Sequence, residues 1–164
     1  GEVACIGREI HEAFLKSLLS VGYVLPQKKK VLVSISGDRF RFRFLESMQQ
    51  MKDDGFTIYC TEGSAAFYNA RGIDAKVLHK VSEVGTHPNI EDYLKEGKLD
   101  LVINIPDDEK KNVSRDGYVI RRMTVDFAIP LFTNLQLAKL FIDSICKLNE
   151  ESLEVLDWDS YVET

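Results

Sequence analysis

From residue 30 onward the chain alternates short apolar runs with amphipathic segments. The apolar runs predict five strands, at residues 31–36, 56–60, 75–80, 99–105 and 129–133. The amphipathic segments predict five helices, at residues 43–54, 64–71, 89–96, 117–128 and 134–146. Each strand is apolar along most of its length rather than at alternate positions, which is typical of a parallel sheet covered by helices on both faces.

This alternation predicts the fold class. Strands and helices that follow one another in turn favour an α/β domain, doubly wound, with a five-stranded and mostly parallel sheet and helices on both faces. Gly55, Gly72 and Gly97 each stand between a predicted helix and the next strand. Glycine is the residue that most readily adopts the left-handed conformation that ends a helix, so these positions support the assigned boundaries.

The two ends of the chain differ from this central pattern. Residues 8 to 20 place Ile10, Phe14 and Leu18 on one helical stripe, and Gly22 and Pro26 then end the helix. We therefore predict that residues 1–25 end a preceding unit and that residues 26–148 form the α/β domain. Residues 149–164 are predicted to be an acidic tail that carries the one tryptophan.

Composition and charge exclude several classes of function. The chain has 21 Lys and Arg against 26 Asp and Glu, a net charge of −5, which argues against a general nucleic-acid binder. No apolar run approaches the ~20 residues that span a bilayer, so no membrane partner is expected. The three cysteines are far apart and odd in number, which predicts reduced thiols in an intracellular compartment rather than a zinc site.

Polar side chains follow the predicted strands at their carboxyl ends, where doubly wound folds bind ligands. These residues are, in chain order, Ser34, Ser36, Gly37, Arg39, Thr61, Gly63, Ser64, His79, Lys80, Asn104, Asp107, Thr133 and Asn134. Thr61 to Ser64 also open a helix, whose free N–H groups and positive dipole end attract anions. The pattern predicts a pocket for a phosphate or a carboxylate.

Simpler interpretations of the same residues remain open. Ser64 and Asn134 are both good helix N-caps whether or not a ligand binds, and Lys80 alone is typical of a solvated strand end. Phe40, Phe42 and Phe44 alternate with arginines, and helix packing is favoured over a stacking platform for bases. No nucleophile elbow, P-loop or dinucleotide fingerprint occurs, and only His79 among the histidines lies near the predicted pocket.

Several segments in the same order resemble a known family. "GEVACIG", "GYVLPQKKKVLVSI", "LDLVINIP", "DGYVIRR" and "IPLFTNLQLAKLF" resemble the carboxyl-terminal part of carbamoyl-phosphate synthetases. From about Lys28 the chain is similar to their methylglyoxal-synthase-like (MGS-like) regulatory domain. The first 25 residues look like the last helix of the preceding synthetase domain.

The resemblance implies an allosteric domain without chemistry of its own. Members bind effectors: UMP or IMP in bacteria, UTP and phosphoribosyl pyrophosphate in animal pyrimidine enzymes, or N-acetylglutamate in the urea-cycle type. The family's effector pocket carries over to Thr61, Ser64 and Asn104. The resemblance also implies that the rest of the synthetase chain is a partner, and that the parent is an ATP-dependent ligase using Mg or Mn, in the cytoplasm or the mitochondrial matrix. No cofactor is expected in this domain.

The resemblance leaves the effector undecided. Nucleotide-binding members carry a lysine at the position of Lys80, which suits a phosphate. The acetylglutamate type has tryptophan in place of His79 and proline in place of Lys80, with asparagines in place of Asp107 and Gly117. These differences favour a phosphorylated effector over N-acetylglutamate, although Arg39 matches the first-strand cation of the nucleotide type only with a gap.

Two alternatives to a regulatory domain follow. True methylglyoxal synthases share the fold, but they have a His-Asp pair after the first strand and an aspartate in a Gly-Gly-Asp loop after the third. This chain has Ser36, Gly37 and Asp38 at the first place and VSEVG at residues 81–85 at the second. A lyase is therefore disfavoured, since no base is positioned to take the substrate proton. The other alternative is a structural or oligomerisation module that binds no effector.

Overall fold

The computed structural model describes residues 2–83, 85–106 and 115–162. The strands are β1 (Lys30–Ile35), β2 (Thr57–Cys60), β3 (Ala75–Val77), β4 (Leu101–Ile105) and β5 (Leu131–Phe132). The helices are α1 (Ile10–Ser20), α2 (Asp38–Arg43), α3 (Leu45–Asp53), α4 (Glu62–Asn69), α5 (Ile90–Lys95), α6 (Arg115–Asp126), α7 (Leu135–Lys147) and α8 (Asp159–Val162). A 3₁₀ turn, Glu150–Ser152, follows α7.

The five strands form one sheet in the order β3-β2-β1-β4-β5, and every pair is parallel. The predicted fold class is therefore confirmed. The chain moves outward from β1 through β2 to β3, then crosses to β4 on the other side of β1. The strand order thus reverses between β1 and β4, which is the place where doubly wound sheets leave a crevice at the carboxyl ends of the strands.

Helices cover both faces of the sheet, so the molecule has three layers. On one face, Val31, Val33 and Ile35 pack with side chains of α1, α3, α4 and α7. On the other face, Leu32 and Val102 pack with α5 and α6. Successive residues of a strand point to opposite faces, so each buried strand needs apolar residues at every position. That requirement explains the nearly continuous apolar runs in the sequence.

Helix α1 packs on the same core as the sheet. Leu15 is fully buried within the larger apolar cluster. His11 is also buried, and its Nδ1 lies 3.0 Å from Ser144 Oγ on α7. Ser144 Oγ donates its own proton to Leu140 O, and His11 Nε2 lies 3.0 Å from Lys147 Nζ and 3.3 Å from Asp143 Oδ2. The predicted division at residue 25 stays a prediction, but residues before it are part of the packed structure.

The acidic tail contacts the amino-terminal segment. Arg8 and Glu154 form an ion pair with 3.0 Å between Nη2 and Oε2, and Lys16 Nζ donates to the Tyr161 hydroxyl at 2.8 Å. Leu153 packs against the larger core, whereas Trp158 is exposed. Among the described residues, no helix has the length and apolar character needed to cross a bilayer.

The predicted helix at residues 43–54 begins earlier and is divided in two. Gly37 has φ of 80°, a left-handed conformation that turns the chain directly from β1 into α2. Helices α2 and α3 then meet at Phe44, which is fully buried. Phe40 also packs on the core while Phe42 is largely exposed, so the helix-packing interpretation holds for two of the three phenylalanines.

The packing of α1 predicts that it contributes to the stability of the whole domain. Leu15→Ala should lower the free energy of unfolding by about 2–5 kcal/mol, because it leaves a cavity in the core. Ile10→Ala, on the exposed side of the same helix, should change it by less than about 0.5 kcal/mol. Urea unfolding followed by circular dichroism measures both, and equal values for the two variants would show that α1 is not part of the cooperative unit.

Candidate anion-binding site

Three polar residues lie side by side across neighbouring strands at the carboxyl edge of the sheet. Ser34 on β1 pairs with Asn104 on β4, and Val33 pairs with Cys60, so Thr61 follows beside Ser34 on the other side. Thr61 and Asn104 are buried, 8% and 3% exposed. Ser34 is only half-buried, although it lies on the central strand. A solvent-accessible side chain in the middle of a covered sheet indicates that a cleft reaches down to this row.

The row faces the layer formed by α5 and α6. Leu32 and Val102 belong to the apolar cluster on that side, and Ser34 and Asn104 each come two residues later on the same strand. Residues two apart on a strand share a face, so both side chains project toward the same helices. The cleft therefore lies between the ends of β1 and β4, beneath the start of α6.

Ser64 ties the start of α4 to the end of β1. Its hydroxyl is fully buried, accepts the Ile35 N–H at 3.3 Å and donates to the Ile35 carbonyl at 3.3 Å. Thr61 Oγ1 lies 3.5 Å from Ser64 Oγ. The interpretation of Ser64 as an N-cap is wrong: Thr61 occupies the cap position, and Ser64 lies in the first turn of α4. Its side chain satisfies strand backbone, whereas Asn134 does cap α7, accepting the Leu137 N–H at 3.0 Å.

Arg41 places a cation over the first turn of α4. Its Nε donates to Ile35 O at 2.9 Å and its Nη1 to Asp38 Oδ1 at 2.7 Å. Its Nη2 lies 3.3 Å from the point that a Cβ on Gly63 would occupy. The Ser64 and Ala65 N–H groups donate to Thr61 O at 2.9 Å, so the N–H groups of Glu62 and Gly63, which precede these bonds, are the ones at the open end of the helix beside the guanidinium. Because Gly63 has no side chain, the cation can approach this closely.

Arg121 supplies a second cation from the other side of the cleft. Its Nη1 donates to Asn104 Oδ1 at 2.6 Å. A Cβ on Gly117 would lie 3.3 Å from this nitrogen and 3.7 Å from the Asn104 oxygen, so a glycine again allows the approach. The neighbouring Arg122 is exposed and pairs with Asp126 instead.

Neither Arg41 nor Arg121 was identified as a site residue from the sequence, which favoured Arg39. Arg39 is exposed on α2. The four-residue spacing of Gly117 and Arg121 on one helix was the available signal for the second cation. The first required knowledge that α2 begins at Asp38, since that start decides which arginine of the run faces inward.

The remaining predicted residues have diverse positions. Ser36 directly follows β1 and donates its N–H to Ile105 O at 3.0 Å. His79 follows the edge strand β3, with Nδ1 3.0 Å from Glu83 Oε2, and Lys80 comes next and is half-buried. Ser82 N–H donates to Asp116 Oδ1 at 3.3 Å, so the segment after β3 contacts the start of α6. Asp107 lies outside the described residues.

The arrangement favours binding of a small anion. Two guanidinium groups, the start of α4 and the amide and hydroxyl row surround the end of β1, and charge-assisted hydrogen bonds to such donors are the strong kind. A metal site is not indicated, since the described parts of the chain contain no cluster of three His, Cys, Asp or Glu side chains that could hold an ion.

The sequence profile of the MGS-like domain matches residues 43–133, more than half of the chain. The chain belongs to the MGS-like domain family. The match includes β2, β3, β4 and the described residues of α6, and therefore most of the elements that surround the cleft. The start of the match falls at the end of α2, so Ser34 and Arg41 lie outside it.

The relatives of this MGS-like domain are parts of long polypeptides. It is 43% identical over 150 residues to the human carbamoyl-phosphate synthase [ammonia], mitochondrial, which covers 90% of this chain and 10% of that protein. It is 31% identical over 170 residues to the multifunctional protein ura1 of Schizosaccharomyces pombe, covering 100% of this chain and 8% of that protein. The chain thus spans about a tenth of the length of these relatives.

The fold comparison agrees with the family. A methylglyoxal synthase from Elizabethkingia anophelis matches with a TM-score of 0.56, covering 82% of this chain and 91% of that chain. The two sequences are 16% identical, so the match establishes a shared fold.

The different burial of the three cysteines predicts different rates of alkylation. Burial raises the pKa of Cys60 to about 12, and the nearby Arg41 guanidinium lowers it by less. Burial also raises the pKa of Cys146, to about 11. Iodoacetamide at pH 8 should therefore label Cys5 first, then Cys146, and Cys60 about a thousandfold more slowly than in the urea-unfolded chain. Mass spectrometry of digested samples measures each rate. Equal labelling of Cys5 and Cys60 would show that the start of α4 opens readily.

Proposed function

We propose that this MGS-like domain is the allosteric, effector-binding part of a carbamoyl-phosphate synthetase and that its effector is a small anion bound at the β1–β4 crevice. The observation that carries the proposal is the pair of guanidinium groups, Arg41 and Arg121, on opposite sides of the polar row. Each is held by a hydrogen bond to the edge of the sheet and each lies against a glycine. Cations fixed in advance lose little entropy when an anion binds.

The relatives support the identity of the parent protein. The human relative is a carbamoyl-phosphate synthase, and this chain corresponds to about a tenth of its length. We infer that the parent is an ATP-dependent ligase, with Mg or Mn serving its synthetase domains, and that the rest of that polypeptide is the partner of this domain. The cytoplasm and the mitochondrial matrix both remain compatible with this inference.

The residues favour a phosphorylated effector, either a nucleotide such as UMP or UTP or phosphoribosyl pyrophosphate. Two arginines, with Lys80 on the segment that contacts α6, supply three positive charges, which suit the concentrated negative charge of a phosphate or pyrophosphate better than the two separate carboxylates of N-acetylglutamate. Phosphate oxygens accept several charge-assisted hydrogen bonds at once. N-acetylglutamate is the second candidate, because a guanidinium also binds a carboxylate through two parallel hydrogen bonds.

Effector binding would act on the parent through differential affinity. A ligand shifts an equilibrium between two arrangements only by the difference in its affinity for them. The proposed contacts come from α2, α4 and α6, so a ligand that joins them would favour one relative position of α6 over another. A ligand-dependent change in the position of α6 is how binding at the site would affect the synthetase domains.

Catalysis by this domain is the less supported function. The imidazole of His79 lies beside Glu83, and its strand, β3, is two strands away from β1. A lyase would convert dihydroxyacetone phosphate to methylglyoxal and inorganic phosphate, and a direct turnover assay separates this possibility from binding alone. We expect no turnover above the uncatalysed rate.

Calorimetric titration of the chain with UMP, UTP, phosphoribosyl pyrophosphate and N-acetylglutamate tests the proposal. At least one should bind, and Arg41→Gln should weaken that binding by about tenfold or more, since it removes a charge-assisted hydrogen bond. Arg43→Gln is the matched control, because Arg43 lies on the same helix and is exposed. It should change affinity by less than about twofold.

Two further measurements make this result decisive. Thermal unfolding of Arg41→Gln should show a folded chain, so that lost binding reflects the lost cation. Lys80→Ala should weaken a phosphorylated effector more than N-acetylglutamate if the phosphate is bound near β3. Heatless injections for all four compounds, or equal losses in Arg41→Gln and Arg43→Gln, would refute the proposal.

A further inference from the structure

We propose that Asp38 is a built-in competitor for the anion site: its carboxylate occupies the Arg41 guanidinium that a ligand must use, and so sets the ligand's affinity. This inference rests on the proposed function, because it assigns a regulatory contact to the same site. In the sequence, Asp38 was considered only because it lies where methylglyoxal synthases have their His-Asp pair.

The contact itself is the first observation. Asp38 Oδ1 accepts from Arg41 Nη1 at 2.7 Å, a short and charge-assisted hydrogen bond. The Asp38 side chain is 76% exposed and the Arg41 side chain 19% exposed. The carboxylate can therefore leave for water at little cost, whereas the guanidinium stays in the structure. This asymmetry is what a displaceable competitor requires.

The second observation is that Arg41 does not depend on Asp38 for its position. Its Nε is fixed by the Ile35 carbonyl at 2.9 Å, and its backbone carbonyl accepts the Tyr68 hydroxyl at 3.2 Å. Tyr68 is fully buried. These contacts orient the guanidinium toward Gly63 whether or not the carboxylate is present. Asp38 thus occupies an N–H group of Arg41 that a ligand could use, although it is not needed to orient the guanidinium.

The consequence follows from guanidinium geometry. A phosphate or carboxylate binds a guanidinium best through two parallel N–H groups. With Nε and one N–H of Nη1 engaged, a ligand at the start of α4 must either share the guanidinium with the Asp38 carboxylate or displace it. Displacement would also remove a negative charge from beside the ligand. Competition by Asp38 therefore lowers the affinity for the ligand, so the site saturates only at a higher ligand concentration.

The alternative role of Asp38 predicts the opposite result. If the carboxylate served to hold Arg41 in place, its removal would loosen the cation and weaken anion binding. Competition predicts tighter binding instead. The sign of the change in affinity decides between the two roles.

The test uses inorganic phosphate, together with whichever effector binds the unmodified chain, in calorimetric titrations of the 164-residue protein. Asp38→Asn, which keeps the size of the side chain, should bind the anion about two- to fivefold more tightly, the range expected for losing one partly exposed ion pair. In the double variant Asp38→Asn with Arg41→Gln this gain should vanish, since the competition acts through Arg41.

Glu62→Gln is the matched control for a general effect of charge. Glu62 is exposed in the first turn of α4, so the variant changes net charge equally near the same site. It should strengthen binding less than Asp38→Asn does. Equal gains in the two variants, or unchanged or weaker binding in Asp38→Asn, would overturn the competition while leaving the anion site intact. If neither the unmodified chain nor Asp38→Asn binds phosphate or any of the four effectors, both the competition and the proposed function fail.

Discussion

The parallel pairing of β1 with β4 is the constraint on which the site depends. These strands are not adjacent in sequence, and their register sets Ser34 directly beside Asn104. The pairing of β1 with β2 then adds Thr61 on the other side. The helices that follow β2 and β4 lie on opposite faces of the sheet, so neither closes the space above the central strand. A shift in register by one residue would turn these side chains to different faces.

The cations depend on this edge in turn. Arg41 is oriented by the carbonyl of Ile35, the last residue of β1, and Arg121 by the amide of Asn104 on β4. Each guanidinium also packs closely on a glycine in the first turn of a helix, where an added Cβ would lie 3.3 Å from a guanidinium nitrogen and would push it back by a few tenths of an ångström. The charge of the site is thus a product of backbone geometry, and net composition, which is acidic, gives no indication of it.

The fold was predictable from the sequence to a greater extent than the site. Continuous apolar runs and helix-ending glycines identify the strands and their parallel arrangement, because burial on both faces leaves a local signal. The start of α2 was not predictable in the same way, since Phe40, Phe42 and Phe44 repeat with the period of a strand while forming helices. Arg41 was missed for that reason. Arg121 was missed because its contact with Asn104 joins residues 17 apart on two different elements, β4 and α6.

The location of Ser64 was predicted correctly, but its hydrogen bonds were not. Sequence reasoning placed it at the start of the helix that follows the second strand, and the structure does so too. Its hydroxyl, however, is engaged with the backbone of Ile35 on both the donor and the acceptor side. Such contacts depend on which strand lies beside the helix, and the sequence alone does not give that neighbour.

The bond between Ser64 and Ile35 also makes the two walls of the crevice unequal in stiffness. On the α4 side, Ser64, Ala65 and Tyr68 are all fully buried, so this wall is anchored along its length. On the other side, α6 buries only Ile120 and Thr124 of its twelve residues. A ligand bound between them would contact one rigid side and one less tightly packed side. Any conformational change on binding would therefore occur mainly in α6.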